Sequence, residues 1–226
     1  MLEKNWNDHV VHAEEIARSP GFVDLRDRII ELAQPRPEHV VVDVGSGTGL
    51  LSLALAPQVS RLWAIDISPL MGEYLRAKAA SAGLENIETV TASAVSLPLV
   101  DASADLVVSN YCFHHLPDAG KERALAEIHR VLRPGGRLVF GDMMFRVSLT
   151  DPRDRDVVRD KVRAMLRRGI PGVLRLAKNG IRFAGRSWEQ PARATWWHAA
   201  LIRAGFADVK VEELAHEGGA ATARRP

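Results

Sequence analysis

Glycines crowd one short stretch, Asp43-Val44-Gly45-Ser46-Gly47-Thr48-Gly49, between an apolar run and a helical pattern. Such glycines let a backbone turn tightly and approach a ligand with no Cβ in the way. The amides that open the following helix then face that ligand. Asp66 stands 21 residues after Gly45, at the end of the next apolar run. A carboxylate there can accept hydrogen bonds from both hydroxyls of a ribose. A dinucleotide fingerprint would need glycine at position 50, where this chain has Leu50. Asp43, two residues before the first glycine, repels phosphates and attracts an ammonium or sulfonium. A second cluster, Asn110-Tyr111-Cys112-Phe113-His114-His115, comes after a later apolar run and holds groups able to orient an acceptor or take a proton.

These groups need a scaffold, and the hydrophobic pattern supplies one. Short apolar runs at 40–44, 62–65, 87–91, 105–109 and 137–141 alternate with helical patterns at 48–56, 69–82 and 120–132. Continuous apolar strands separated by helices mean a parallel sheet covered on both faces. Helical periodicity also fills the opening stretch to Ala33, broken at Ser19-Pro20-Gly21, and the stretch from Pro191 to Ala204. Final strands are expected at 209–214 and near 220–223. The reading is a doubly wound, Rossmann-like α/β domain with a seven-stranded, mostly parallel sheet, helices on both faces and a helical lid insertion. Within one domain of 226 residues it divides into an N-terminal helical cap (1–37), a core (38–145), the lid (146–189) and a C-terminal helix with strands (190–226).

Composition narrows the class. A hydrophobic share of 46% and a charged share of 26% are ordinary for a globular protein. The single cysteine, Cys112, excludes an internal disulfide and a multi-cysteine zinc site. No run is long and apolar enough for a membrane span, and the start lacks a signal peptide's apolar core, so a soluble cytoplasmic protein is expected. Residues 146–193 hold 13 Lys/Arg against 5 Asp/Glu, a local +8 that leaves −6 for the rest of a chain whose net charge is +2.

Together these motifs carry a family resemblance. Val41-Val42-Asp43-Val44-Gly45-Ser46-Gly47-Thr48-Gly49 resembles the first motif of class I S-adenosylmethionine-dependent methyltransferases, and Ala64-Ile65-Asp66-Ile67-Ser68-Pro69 the second. Ala104 to Asn110 resembles the fourth. His114-His115-Leu116-Pro117-Asp118 and Arg130 to Leu138 resemble the family's next helix entry and fifth strand. The nearest flavour is the ubiquinone/menaquinone-biosynthesis type of small-molecule methyltransferase. The resemblance implies S-adenosylmethionine as cofactor and S-adenosylhomocysteine as product. It also implies a cofactor site of Asp43, Gly45, Ser46, Gly47, Gly49, Asp66, Ile67, Met71, Ser93, Ala94 and Asn110. Met71 stands where family members lay an apolar side chain on adenine. Thr91-Ala92-Ser93-Ala94 departs from the usual Gly-Asp-Ala, so Ser93 would meet the adenine amino group without charge.

Methyl transfer from a sulfonium is an in-line displacement in which the protein mainly aligns the partners and excludes water. Tyr111, His114 and His115 are the candidate catalytic residues. Trp6, His9, His12, Tyr111 and Trp197 are the candidate acceptor-binding residues. His9 and His12 would share one helix face, and no third ligand accompanies them, so no metal is expected. The resemblance implies that the insertion selects a small, partly apolar acceptor, and its basic charge suits an acidic or lipid-like one or contact with an anionic membrane surface. The chain is expected as a monomer or homodimer. Two alternatives stand beside this reading: an RNA-modifying methyltransferase, supported only by the basic segment, and a cofactor-binding membrane-surface module without turnover. Tyr-Cys-Phe after Asn110 is not the Pro-Pro-aromatic triplet of exocyclic base-amine methylation, so nucleic acid is not an expected partner.

Overall fold

The computed structural model describes residues 6–145, 151–167, 169, 190–214 and 217–226. Seven strands form one sheet: β1 (Val40–Val44), β2 (Arg61–Asp66), β3 (Ile87–Thr91), β4 (Ala104–Asn110), β5 (Leu132–Met143), β6 (Ala207–Glu213) and β7 (Gly218–Arg224). Their order is β3-β2-β1-β4-β5-β7-β6, parallel except for β7, which runs antiparallel to both neighbours. The order reverses at β1, and β4 leaves on the opposite side. Parallel-sheet ligands bind at such a switch point, beyond the carboxyl ends of the strands.

The helices are α1 (Val10–Ala17), α2 (Pro20–Ala33), α3 (Ser52–Leu55), α4 (Pro69–Ser81), α5 (Asp118–Val131), α6 (Pro152–Leu166) and α7 (Ala194–Arg203). Pro20 and Pro69 open α2 and α4 at a position where the missing amide costs nothing. Ser68 caps α4 by accepting from the Met71 amide at 3.2 Å. Leu25, Ile29 and Ala33 recur every four residues on α2, and Met71, Leu75 and Ala79 do so on α4, so each helix buries one stripe. Two apolar cores result, one on each face of the sheet. One joins α2, α3 and Leu75 to β1 and β2; the other joins α5 and α7 to β4, β5 and β7.

Several boundaries differ from the sequence pattern. The expected helix over 48–56 is only α3 followed by a 3-10 turn, Ala56–Gln58, because the glycine loop occupies its first residues as turn. Strand β5 begins at Leu132 instead of 137, directly after α5. A register shift between Ala104 and Leu106 lets the Pro134-Gly135-Gly136 stretch join the strand. The final strand spans seven residues, because it pairs on both sides with β5 and β6. Of the basic insertion, α6 is described. Most of the rest of the lid expected at 146–189 lies outside the described residues. On α6, Arg159 pairs with Asp156 at 2.9 Å and Asp154 holds Arg193 at 2.7 Å, so acidic partners offset part of its basic charge. Among the described residues, no helix is long and apolar enough to cross a membrane.

Candidate active site

The three loop glycines all take left-handed backbone, with φ of 73° at Gly45, 50° at Gly47 and 90° at Gly49. They do different work. A Cβ on Gly45 would stand 2.3 Å from Cys112 Sγ, and one on Gly49 would stand 2.2 Å from Leu75 Cδ1. A Cβ on Gly47 would meet nothing within 4 Å. Gly45 and Gly49 therefore let the loop pack onto the end of β4 and onto α4, while Gly47 faces open space. The amides of Gly45 and Ser46 both donate to the Ile65 carbonyl, at 2.8 and 3.0 Å, which ties the loop to β2.

Asp66 closes the loop from the other side. Its Oδ2 accepts from the Gly47 amide and its Oδ1 from the Ser68 amide, both at 2.9 Å. Burial raises its pKa above the ordinary carboxylate value, against these amides. The residue expected to receive a ribose thus also fixes the backbone of the glycine that faces space. Asp43 is only 1% exposed and accepts from Ser52 Oγ at 2.6 Å. Burial, with Asp66 adding, pushes its carboxyl up to about 7.

Three side chains have polar atoms buried without hydrogen-bond partners among the described residues: Ser46 Oγ and both side-chain atoms of Asn110 here, and Trp197 Nε1 in the core. Unpaired buried polar atoms are costly and call for a partner such as water or a ligand. Met71 is buried and Ile67 is 43% exposed. Ser93 accepts weakly from the Val95 amide at 3.4 Å, and the neighbouring Ala92 amide donates to the Asp66 carbonyl at 2.9 Å. That bond brings the 92–94 turn beside Asp66, with Ala94 packed on the core.

The second cluster folds around a strained corner. Tyr111 holds φ at 54°, unusual for an aromatic residue, and its amide donates to the Gly141 carbonyl at 2.9 Å. Its ring stacks on Phe22 of α2 with centroids 4.2 Å apart. Burial first, then Glu217 and Asp142, raise its phenol above the ordinary value. Cys112 is likewise pushed up, by burial and then by Asp66, Asp142 and Asp43, so its thiol stays protonated. His114 is 4% exposed, and Asp142 takes both its Nδ1 at 2.6 Å and its backbone amide at 3.0 Å. His115 is exposed and meets Trp6 with ring centroids 4.5 Å apart.

The N-terminal segment reaches this corner by bonds that no local pattern announces. Asn7 Oδ1 accepts from Ser68 Oγ at 2.6 Å. Lys78 Nζ donates to Glu14 Oε2 at 2.9 Å and to the Thr48 carbonyl at 3.1 Å, fastening α1 to the glycine loop. His9 lies in a 3-10 turn, Trp6–His9, ahead of α1, so the helix face expected for His9 and His12 does not form. His9 remains near Trp6, with centroids 6.1 Å apart, whereas the His12 side chain is 53% exposed beside Glu15. Trp197, expected to line an acceptor pocket, instead sits in the core at 1% exposed, against Phe140 and Phe113 at 4.7 and 5.7 Å. An amphipathic ring on a helix suits a pocket, but α7 packs this one inward.

Residues 41–136 match the methyltransferase domain family. The chain is thus similar to S-adenosylmethionine-dependent methyltransferases across its cofactor-binding core. It is 36% identical over 114 residues to an uncharacterized methyltransferase of Bacillus subtilis, covering 50% of this chain and 44% of that protein. It is 43% identical over 152 residues to a dimethylglycine N-methyltransferase of Parasynechococcus marenigrum, covering 64% of this chain and 54% of that protein. The chain spans about half the length of such curated relatives. Among solved structures, the YcgJ protein of Bacillus subtilis superposes with a TM-score of 0.63 at 25% identity, over 84% of this chain and 72% of that one. A methyltransferase of Aquifex aeolicus shares the fold, with a TM-score of 0.67 at 19% identity over 95% of this chain and 98% of its own. The ubiquinone/menaquinone flavour is not singled out by these likenesses.

The similar methyltransferases imply S-adenosylmethionine as cofactor, and the residues present fit it. The open face of Gly47, the carboxylate of Asp66 and the orphaned polar atoms of Ser46 and Asn110 are what a polar, cationic ligand needs at this switch point.

Proposed function

We propose that the protein transfers a methyl group from S-adenosylmethionine to a small, partly apolar metabolite. The observation that carries this reading is Gly47: it alone of the three loop glycines faces open space, beside an Asp66 carboxylate that already holds its amide. When bound, the cofactor supplies an activated methyl group on sulfur. Asp66 receives the ribose, and Gly45, Ser46, Gly47 and Gly49 cradle the amino-acid end, with Asp43 buried behind the loop on Ser52. Ile67, Met71, Ser93 and Ala94 form the adenine side, and Asn110 donates and accepts where β4 ends.

On the acceptor side, Trp6, His9, Phe22, Tyr111 and His115 offer an aromatic wall. Tyr111, kept protonated by its surroundings, orients the acceptor as a donor. The fastened α1 excludes water from the reacting atoms. The charges acting on Tyr111 and Cys112 are all carboxylates among the described residues, which weighs against an acidic acceptor. The test is incubation with S-adenosylmethionine and a panel of neutral, cationic and anionic apolar metabolites, reading S-adenosylhomocysteine by chromatography. Product formed only with an acceptor present supports the reading; its absence from a protein that binds the cofactor contradicts turnover.

A further inference from the structure

Asp142 stands at the carboxyl end of β5, 0% exposed, in a strand whose preceding residues Leu138 to Gly141 are buried. A buried carboxylate must be paired or hydrogen-bonded. Here Oδ1 meets His114 Nδ1 at 2.6 Å and also the Met143 amide at 2.6 Å, while Oδ2 accepts the His114 amide at 3.0 Å. A carboxylate at Nδ1 holds the proton there, leaving Nε2 with its lone pair. Among the described residues, Asp142 is the only hydrogen-bond partner of the His114 side chain. The ring is 4% exposed, lies edge-on to Tyr111 at 6.1 Å and touches His115 at 3.9 Å. This is a fixed, oriented base at the edge of the acceptor corner.

The charge around it decides what such a base serves. Among the described residues, the titratable groups on this corner are Asp142 from β5, Tyr111, Cys112 and His115 from the turn after β4, and Glu217 just ahead of β7. Asp43 and Asp66 act from the loop side. A hydroxyl acceptor would develop an oxyanion among these carboxylates, and its methylation would destroy the donor's positive charge. An amine keeps that charge, which passes from sulfur to nitrogen inside a field that stabilises cations. At neutral pH, however, an alkylamine arrives with its lone pair occupied by a proton.

Resting on the methyl-transfer reading above, we propose that the acceptor is an amine that arrives as its ammonium, and that His114, positioned by Asp142, takes its proton. The proton moves from nitrogen to Nε2. The freed lone pair forms the N–C bond as the C–S bond breaks, and that bond's electron pair stays on sulfur. The product is a more substituted ammonium, and the imidazolium then releases its proton to solvent. His114 is the catalytic residue and Asp142 a positioning residue.

The experiment uses three probes of one skeleton, phenethylamine, 2-phenylethanol and phenylacetate, titrated calorimetrically into protein saturated with S-adenosylhomocysteine. Saturation by that product is the control that separates the two readings: if it fails, the methyl-transfer reading fails with it. With the product bound, the amine is expected to bind at least tenfold more tightly than the alcohol, and the carboxylate least. Equal binding, no amine binding, or preference for phenylacetate overturns the amine assignment alone. In parallel, imidazole 15N spectra are expected to show His114 as the Nδ1–H tautomer, shifting to a mixture in Asp142→Asn while His115 is unchanged. A wild-type Nε2–H tautomer, or no change in the variant, overturns the base.

Discussion

The two halves of the site are built on different principles. On the β1–β2 side, backbone does the work: loop amides, two packing glycines and one carboxylate that holds the glycine facing space. On the β4–β5 side, side chains do it: Tyr111 at a strained φ, His114 clamped by Asp142, and Trp6 brought from the N-terminus onto His115. A backbone cradle tolerates few substitutions and recognises one ligand shape, whereas a side-chain wall can be rebuilt without moving the sheet. The first half suits a shared cofactor and the second a particular acceptor.

The largest effect should come from the packing glycines. Gly45→Ala places a Cβ at 2.3 Å from Cys112 Sγ on left-handed backbone. It should cost about 3 kcal/mol or more of stability in chemical denaturation, by overpacking and strain. Gly47→Ala, with nothing within 4 Å, should cost only about 1 kcal/mol through its φ. Equal losses at the two positions would erase the division between packing and ligand-facing glycines.

Next in size is Asp66→Ala, expected to weaken S-adenosylmethionine binding by about 1–3 kcal/mol through lost charge-assisted bonds. Unchanged affinity in a titration would remove the ribose role. Asp43 gives a pH signature. Its carboxyl is raised in the folded protein to about 7, so folding favours the protonated form. Its contribution is therefore full below about pH 4, the range of an unfolded Asp, and is lost as pH rises through about 7. Asp43→Asn should flatten that decline in melting curves taken across the same range. The smallest effect should be Glu14→Gln, which loosens the Lys78 tie between α1 and the glycine loop. A partly exposed pair of this kind is worth about 1 kcal/mol or less, and faster amide exchange in α1 with an unchanged sheet would show it.

The fold was legible because strand and helix periods alternate plainly from Val40 to Phe140, and the loop glycines with Asp66 mark the switch point. The hidden features depend on contacts distant in sequence. That Gly45 and Gly49 pack while Gly47 faces space comes from Cys112 and Leu75 folding against them. Glu14 and Lys78 meet across 64 residues with no shared motif. Asp142 had a readable sign, a lone acid ending an apolar strand, and its partner His114 stands in the motif after β4. Trp197 misled because an aromatic residue on a helix carries no mark of which face packs inward.

The most direct test of the cofactor site is calorimetric titration of S-adenosylhomocysteine, with NAD as control, into the wild-type protein and a Gly47→Val variant shown to be folded by its melting curve. Micromolar binding to the wild type, none to the folded variant, and silence with NAD are the expected results. Undiminished binding to Gly47→Val, or binding of NAD in its place, would contradict a cofactor seated on the open face of Gly47.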